Sequence, residues 1–278
     1  MSDEPALGSA AEDGMDLSGI LANHARLQTL IAAAEAQVAT GRLEEAAVAA
    51  QQAAGWAWLN HAGIHASPRL EALVRALAPP GAQRRSSPTG RPVRPVRVLH
   101  VLTQAYPTGG HTRWSERIIR ADRMRRHSLV LTGQGQAPVP PWLAASVRAS
   151  GGRIEALAAA PILERAARLR RLVEGFDLVI ANLHPNDVAA VAALADPRGR
   201  PPVALLNHAD HAFWLGVGAA DLVVSFRRSG ERLGIRRRGV DPARSAVSAL
   251  PVDPPAAGPP RDVARAGLGI RPDEIVLL

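Results

Sequence analysis

The residues best suited to chemistry in this chain are three polar clusters, each lying directly behind an apolar run. Val96 to Leu102 empties into Tyr106-Pro107-Thr108-Gly109-Gly110-His111, Leu178-Val179-Ile180 into Asn182-Leu183-His184-Pro185-Asn186-Asp187, and Val203 to Leu206 into Asn207-His208-Ala209-Asp210-His211. Asn182, Asn186, Asn207, His184 and His208 supply many neutral donors and acceptors and little charge, the set a polyhydroxylated ligand demands. Gly109-Gly110 stands between a predicted strand and a predicted helix, where missing side chains let backbone N–H groups and a helix N-terminus approach a phosphate, or simply make a tight turn. A second chemistry is open: His208, His211 and Asp210, with His184 and Asp187, could ligate a metal, although their spacing matches no standard zinc signature. Trp214, which follows at once in Phe213-Trp214-Leu215, is either core or a flat platform for a sugar ring. Gly-x-Ser-x-Gly and His-Glu-x-x-His are both missing, so a hydrolase would lack its nucleophile or metal helix.

The elements that must position these residues follow from the pattern. Strands are predicted near 96 to 103, 127 to 133, 153 to 157, 176 to 183, 202 to 208, 220 to 226 and 245 to 250. Helices are predicted near 112 to 122, 140 to 149, 161 to 174, 187 to 194, 211 to 217 and 227 to 233. Such alternation specifies an α/β fold, a doubly wound and mainly parallel Rossmann-like sheet, whose ligands bind beyond the carboxyl ends of the strands. The three clusters therefore belong to one cleft.

Ahead of this unit lies an all-α region. Residues 1 to 20 read as a disordered leader, and 21 to 78 as a helical cap: a tetratricopeptide-like hairpin turning at Thr40-Gly41, then a helix started by Ser67-Pro68. One hairpin is not an array, so the cap is expected to dock on the main domain, with Trp56 and Trp58 in its core. Trp142 is expected to pack a helix against the sheet, and His24, His61, His65 and His127 to be structural or surface residues. Residues 79 to 95 are a linker rich in proline and arginine, 96 to 252 the Rossmann-like domain, and 253 to 278 a further linker ending in an apolar strand at 274 to 278.

Composition narrows the setting. All 33 basic residues are arginine, and cysteine is absent, which removes disulfides and thiolate chemistry and fits a reducing cytoplasm. Residues 1 to 80 hold nine acids against four arginines, whereas the remainder carries a net charge of about +13. That excess could steer anions, yet the arginines are scattered and no nucleic-acid module accompanies them. No apolar stretch reaches the ~18 residues of a membrane span, and peripheral membrane contact stays open.

Several of these segments resemble a family. Arg97-Val98-Leu99-His100-Val101-Leu102-Thr103 with Pro107-Thr108-Gly109-Gly110, Asn207-His208-Ala209-Asp210, Ala220-Asp221-Leu222-Val223-Val224-Ser225 and the run Arg265 to Leu278 are similar, in order and spacing, to the N-terminal, acceptor-side domain of retaining GT-B glycosyltransferases of the group 1, family 4 type. The resemblance implies hexosyl transfer from a nucleotide-diphosphate sugar to an acceptor hydroxyl, without metal or further cofactor. It implies His208 as the catalytic residue beside the donor sugar and Gly109 and Gly110 on the diphosphate side. His111, Asn182, His184, Asp210 and His211 would bind substrate hydroxyls. It also implies that 253 to 278 enter a second, donor-binding domain, so that the 278 residues alone are expected to be inactive. The rival class is a non-catalytic scaffold, in which the hairpin docks a partner on an inherited Rossmann-like domain.

Overall fold

A computed structural model describes residues 17 to 81, 96 to 157, 159 to 250, 252 and 257 to 276. The predicted leader lies outside these residues up to position 16, as does the predicted linker from position 82 to 95.

The cap begins with α1 (Ser18–Ala39) and α2 (Leu43–Leu59), a hairpin. Gly41, at φ 75°, makes the turn: its N–H donates to the Val38 carbonyl at 3.0 Å and that of Arg42 to Gln37 at 3.0 Å, the paired bonds of a Schellman stop. Buried Ala46, Ala47, Ala50, Ala53, Ala54 and Ala57 give α2 a smooth face on which other helices sit closely. In α3 (Pro68–Ala76) the Ser67 hydroxyl accepts from the Leu70 N–H at 3.2 Å and Pro68 occupies the first turn, as the sequence predicts.

The strands are β1 (Arg97–Leu102), β2 (Arg126–Leu131), β3 (Ile154–Ala156), β4 (Leu178–Asn182), β5 (Val203–Asn207), β6 (Leu222–Ser225) and β7 (Ser245–Val247). They form one parallel sheet in the order β3-β2-β1-β4-β5-β6-β7. Chain direction across the sheet reverses between β1 and β4, and the crevice at their carboxyl ends is where a doubly wound fold takes its ligand. The connecting helices are α4 (Gly110–Ala121), α5 (Pro141–Ala149), α6 (Ile162–Val173), α7 (Val188–Ala195) and α8 (Arg228–Arg238), with α9 (Arg261–Gly267) beyond the sheet.

Alternation along the strands divides the core. Leu99, Val101, Val130, Val179 and Leu205 face α6, α7 and the cap, while Leu102, Leu129 and Leu131 face Ile119 of α4 and Leu143 and Val147 of α5. Every residue of α7 is buried, because the sheet lies on one side and α2 and α3 on the other. That position explains a helix of nothing but Val, Ala and Leu.

Two carboxylates fasten the cap. Glu44 accepts from the Ile162 and Leu163 N–H groups, at 2.5 and 3.0 Å, in the first turn of α6. Glu71 accepts from Gly216, Val217 and Gly218 at 2.6, 3.2 and 3.3 Å. These orphan N–H groups carry partial positive charge, so acids from the acidic N-terminal region complete elements of the basic remainder.

The structure corrects four expectations. Residues 211 to 217 form no α-helix; a single 3-10 turn, Val217–Ala219, follows Gly216 at φ 115°. The preceding carbonyls are captured instead by Arg238, whose guanidinium donates to Asp210 and Ala209 at 3.1 Å each and to Ala212. The helix predicted at 227 to 233 continues to Arg238, where Gly239 at φ 68° stops it. Strand β7 ends at Val247 rather than near 250. Glu274 to Val276 form no strand, because the Arg265 guanidinium holds the Arg271 and Glu274 carbonyls in a turn; residues 277 and 278 lie outside the described residues.

Candidate functional site

His111, His184 and His208 leave the carboxyl ends of β1, β4 and β5 and meet in one place. The His111 and His208 rings stack with centroids 5.6 Å apart at 27°, and His111 meets His184 edge-on at 6.1 Å. Tyr106 lies parallel to His184 at 5.8 Å and 7°, and edge-on to His111 at 5.5 Å. Trp58, from the cap, closes the row at 6.1 Å from His184. The result is a continuous line of rings from α2 to β5 across the switch point of the sheet.

The His111 ring and the His184 backbone are each fixed by a hydrogen bond. His111 Nε2 lies 3.2 Å from the Gln104 carbonyl, which can only accept, so Nε2 carries the proton and Nδ1 is the acceptor. The His184 N–H donates to Thr103 Oγ1 at 2.8 Å, and Thr103 donates to Asp187 Oδ2 at 2.7 Å. Asp187 caps α7 through the Ala190 N–H at 2.9 Å and also accepts from Thr132. Burial pushes the His208 imidazole down to about 4, helped by nearby His111 and opposed by the Leu206 carbonyl. Burial likewise lowers His111, against the pull of the Gln104 carbonyl, and lowers His184, with His111 adding to the effect and Asp187 opposing it. Stacked neutral imidazoles offer donors and acceptors without a net positive charge.

Beside them, Gly109 has φ 105° and starts α4, whose N-terminus has no side-chain cap. A Cβ built on Gly109 or Gly110 would meet nothing within 4 Å, so the helix N-terminus opens onto free space next to His111. At Gly109 the positive φ requires glycine; at Gly110 it is the open approach that glycine preserves.

The structure thus brings together Gly109, Gly110, His111, His184 and His208. It places the other predicted site residues elsewhere. Asn182 is buried behind the cleft, donating to the His111 carbonyl at 3.0 Å and to Ser115 Oγ at 3.4 Å, and so ties β4 to the first turn of α4. Asp210 accepts from the Arg227 guanidinium through both oxygens at 2.9 Å each, which fixes it against the start of α8. His211 stands 80% exposed, 3.6 Å from Asp210 and outside the row. Asn207 is occupied by Ser225, Gly230 and Trp214. Asp187 and Asp210, the carboxylates of the alternative metal set, are both engaged by other side chains, and among the described residues no group of three His, Asp or Glu side chains is arranged to hold a metal ion.

Two aromatics exchange places with expectation. Trp214 is no platform: it is buried, donates from Nε1 to Asn207 Oδ1 at 3.1 Å and lies under the Arg238 guanidinium at 4.8 Å. Trp58 is not cap core: it is 37% exposed and reaches the site. The signal was available, since residues two apart on a helix point to different faces and Trp56 takes the inner one, bonding the Asn23 carbonyl at 3.2 Å. Trp142 lies half-buried on α5 against the second core cluster, beneath the Arg113 guanidinium at 3.7 Å. Tyr106 and its support Gln104 are the other site residues that sequence reading did not assign.

The strand order and the site at its reversal point define a doubly wound, Rossmann-like α/β protein. No protein-family profile and no curated protein sequence matches the chain. Among solved structures it is similar to HepE of Anabaena in complex with UDP, at 17% identity and TM-score 0.44 over 63% of this chain and 50% of that one. It is also similar to a glycosyltransferase of Rickettsia africae, at 12% and 0.42 over 64% and 51%, and to an O-GlcNAc transferase mutant of Thermobaculum terrenum, at 15% and 0.40 over 78% and 43%. The chain spans about half the length of these proteins or less. Among the described residues, no helix is long and apolar enough to cross a membrane.

Proposed function

We propose that this chain forms the acceptor-side part of a glycosyl-transfer site, using a nucleotide-diphosphate sugar as co-substrate, with retention and without a metal. The observation that carries the reading is the row of neutral imidazoles beside an uncapped, glycine-opened helix N-terminus. The α4 N–H groups face the diphosphate and stabilise its charge as it leaves. His208 contacts the donor sugar, uncharged and therefore a hydrogen-bonding rather than an ion-pairing group. The C–O bond from the anomeric carbon to the diphosphate breaks and the bond to the acceptor oxygen forms on the same face. The acceptor proton passes to the departing diphosphate, which removes the need for a carboxylate base. His111 and His184 orient hydroxyls, and the chain's contribution is positioning.

The test is turnover in the full gene product containing this chain, with UDP-sugars as donors because UDP is the ligand of the HepE complex. His208→Ala is expected to lower kcat by ~10- to 1000-fold, about 1.4 to 4 kcal/mol, with the unfolding midpoint kept. Full turnover in a folded His208→Ala protein contradicts the assignment, as does the absence of both donor binding and turnover in the unsubstituted protein.

A further inference from the structure

The helical cap reaches the site at Trp58, a partly exposed ring 6.1 Å from His184. Trp58 is 37% and Tyr106 38% exposed, and both approach His184, Tyr106 nearly parallel to it. Apolar ring surface left uncovered at the mouth of a polar cleft is where a ligand stacks. We propose that Trp58, Tyr106 and His184 form a stacking subsite for the sugar ring of a carbohydrate acceptor, so that the helical cap is part of the substrate-binding surface. This deepens the glycosyl-transfer reading and rests on it.

The chemistry selects a sugar. The π-face of an aromatic ring is electron-rich, and the axial C–H bonds on one face of a pyranose carry the complementary partial charge. The platform itself is uncharged: burial holds the His184 imidazole below its ordinary range, and the guanidinium–ring contacts among the described residues fall on Trp142 and Trp214 instead. The feature that suits the phosphate of a nucleotide is the uncapped helix N-terminus at Gly109 and Gly110, not the Trp58 ring. Hydroxyls at the ring's edge find His184 and the half-buried amide of Asn186, which packs so close to α2 that a Cβ on Gly55 would lie 3.3 Å from its nitrogen. Trp58, His184, His111 and His208 follow one another at 6.1, 6.1 and 5.6 Å, which sets an acceptor ring on Trp58 at the far end of the row from His208.

The intact chain, labelled with ¹⁵N at tryptophan, gives five indole signals, and the one from Trp58 is assigned by its loss in Trp58→Phe. Methyl glycosides of glucose, galactose and N-acetylglucosamine are titrated in turn, and UDP separately. At least one glycoside is expected to move the Trp58 signal, with UDP leaving it in place. Trp58→Ala is expected to weaken that glycoside about tenfold or more and Trp58→Phe to recover most of the loss, both with unchanged unfolding midpoints. The subsite is overturned if no glycoside moves the Trp58 signal, if Trp58→Ala binds the glycoside as well as the parent, or if UDP moves the signal more than any glycoside does. A negative result at Trp58 while His208→Ala still lowers kcat removes this subsite alone; a negative result at Trp58 with full turnover in His208→Ala removes the reading beneath it.

Discussion

Two histidine clusters sit at opposite edges of the same sheet, and their contrast shows what position does to one residue type. Toward the amino edge, His100 is fully buried midway along β1, its Nε2 lies 3.0 Å from Nδ1 of His127 at the start of β2, and His127 Nε2 lies 3.3 Å from Asp122. At the carboxyl edge, His111, His184 and His208 touch one another by ring contact and border the open N-terminus of α4. Burial lowers the proton affinity of both sets, so titration behaviour alone does not mark the functional one. What separates them is what each faces. The amino-edge pair points into the α4 and α5 layer, its two rings joined to each other and His100 Nδ1 buried without a hydrogen-bond partner, whereas the carboxyl-edge row lines the switch point of the fold.

The largest effect expected from this contrast is loss of stability in acid. Burial depresses His100 to about 3 in the folded chain, with His127 adding to the shift and Asp122 opposing it, against about 6.5 unfolded. Between those values the unfolded chain binds a proton that the folded chain refuses. The contribution is intact above pH 6.5 and is lost as pH falls toward 3, at on the order of 1 kcal/mol per pH unit. His208 acts in the same direction down to about 4. Urea midpoints measured at pH 7.5, 6 and 5 should fall, and His100→Gln should flatten the trend; a constant midpoint would show that the amino-edge pair does not stay neutral.

The same substitution at the two edges sharpens the comparison. A Cβ on Gly152 would lie 1.7 Å from the His127 carbonyl oxygen, a backbone atom that cannot step aside, so Gly152→Ala should cost about 3 kcal/mol or more. Gly110→Ala enters free space at a helix start and should change stability by less than about 0.5 kcal/mol. Equal unfolding midpoints for the two variants would contradict the sealed-versus-open description.

The parts of the fold legible in the sequence were those written in local pattern. The apolar runs at β1, β4 and β5 are nearly continuous because a parallel sheet is covered on both faces, and their polar followers located His111, His184 and His208. What stayed illegible depends on distant partners. The predicted helix at 211 to 217 is undone by Arg238, about two dozen residues away, and Asp210 is claimed by Arg227. Helix spacing separates Trp58 from Trp56 but does not place it beside His184, because the cap docks through Glu44 on the start of α6 and through Glu71 on residues 216 to 218, N–H groups far along the chain. No periodicity records such a meeting.

The central claim, that the carboxyl-edge histidines face the ligand and the amino-edge pair is structural, is tested most directly by following all the imidazole nitrogens by NMR at neutral pH while UDP is added to the intact chain. The account predicts that His111 and His208 signals shift, both in their neutral forms, while those of His100 and His127 stay fixed. Shifts confined to His100 and His127, or none at His208 when binding is saturated, would contradict it.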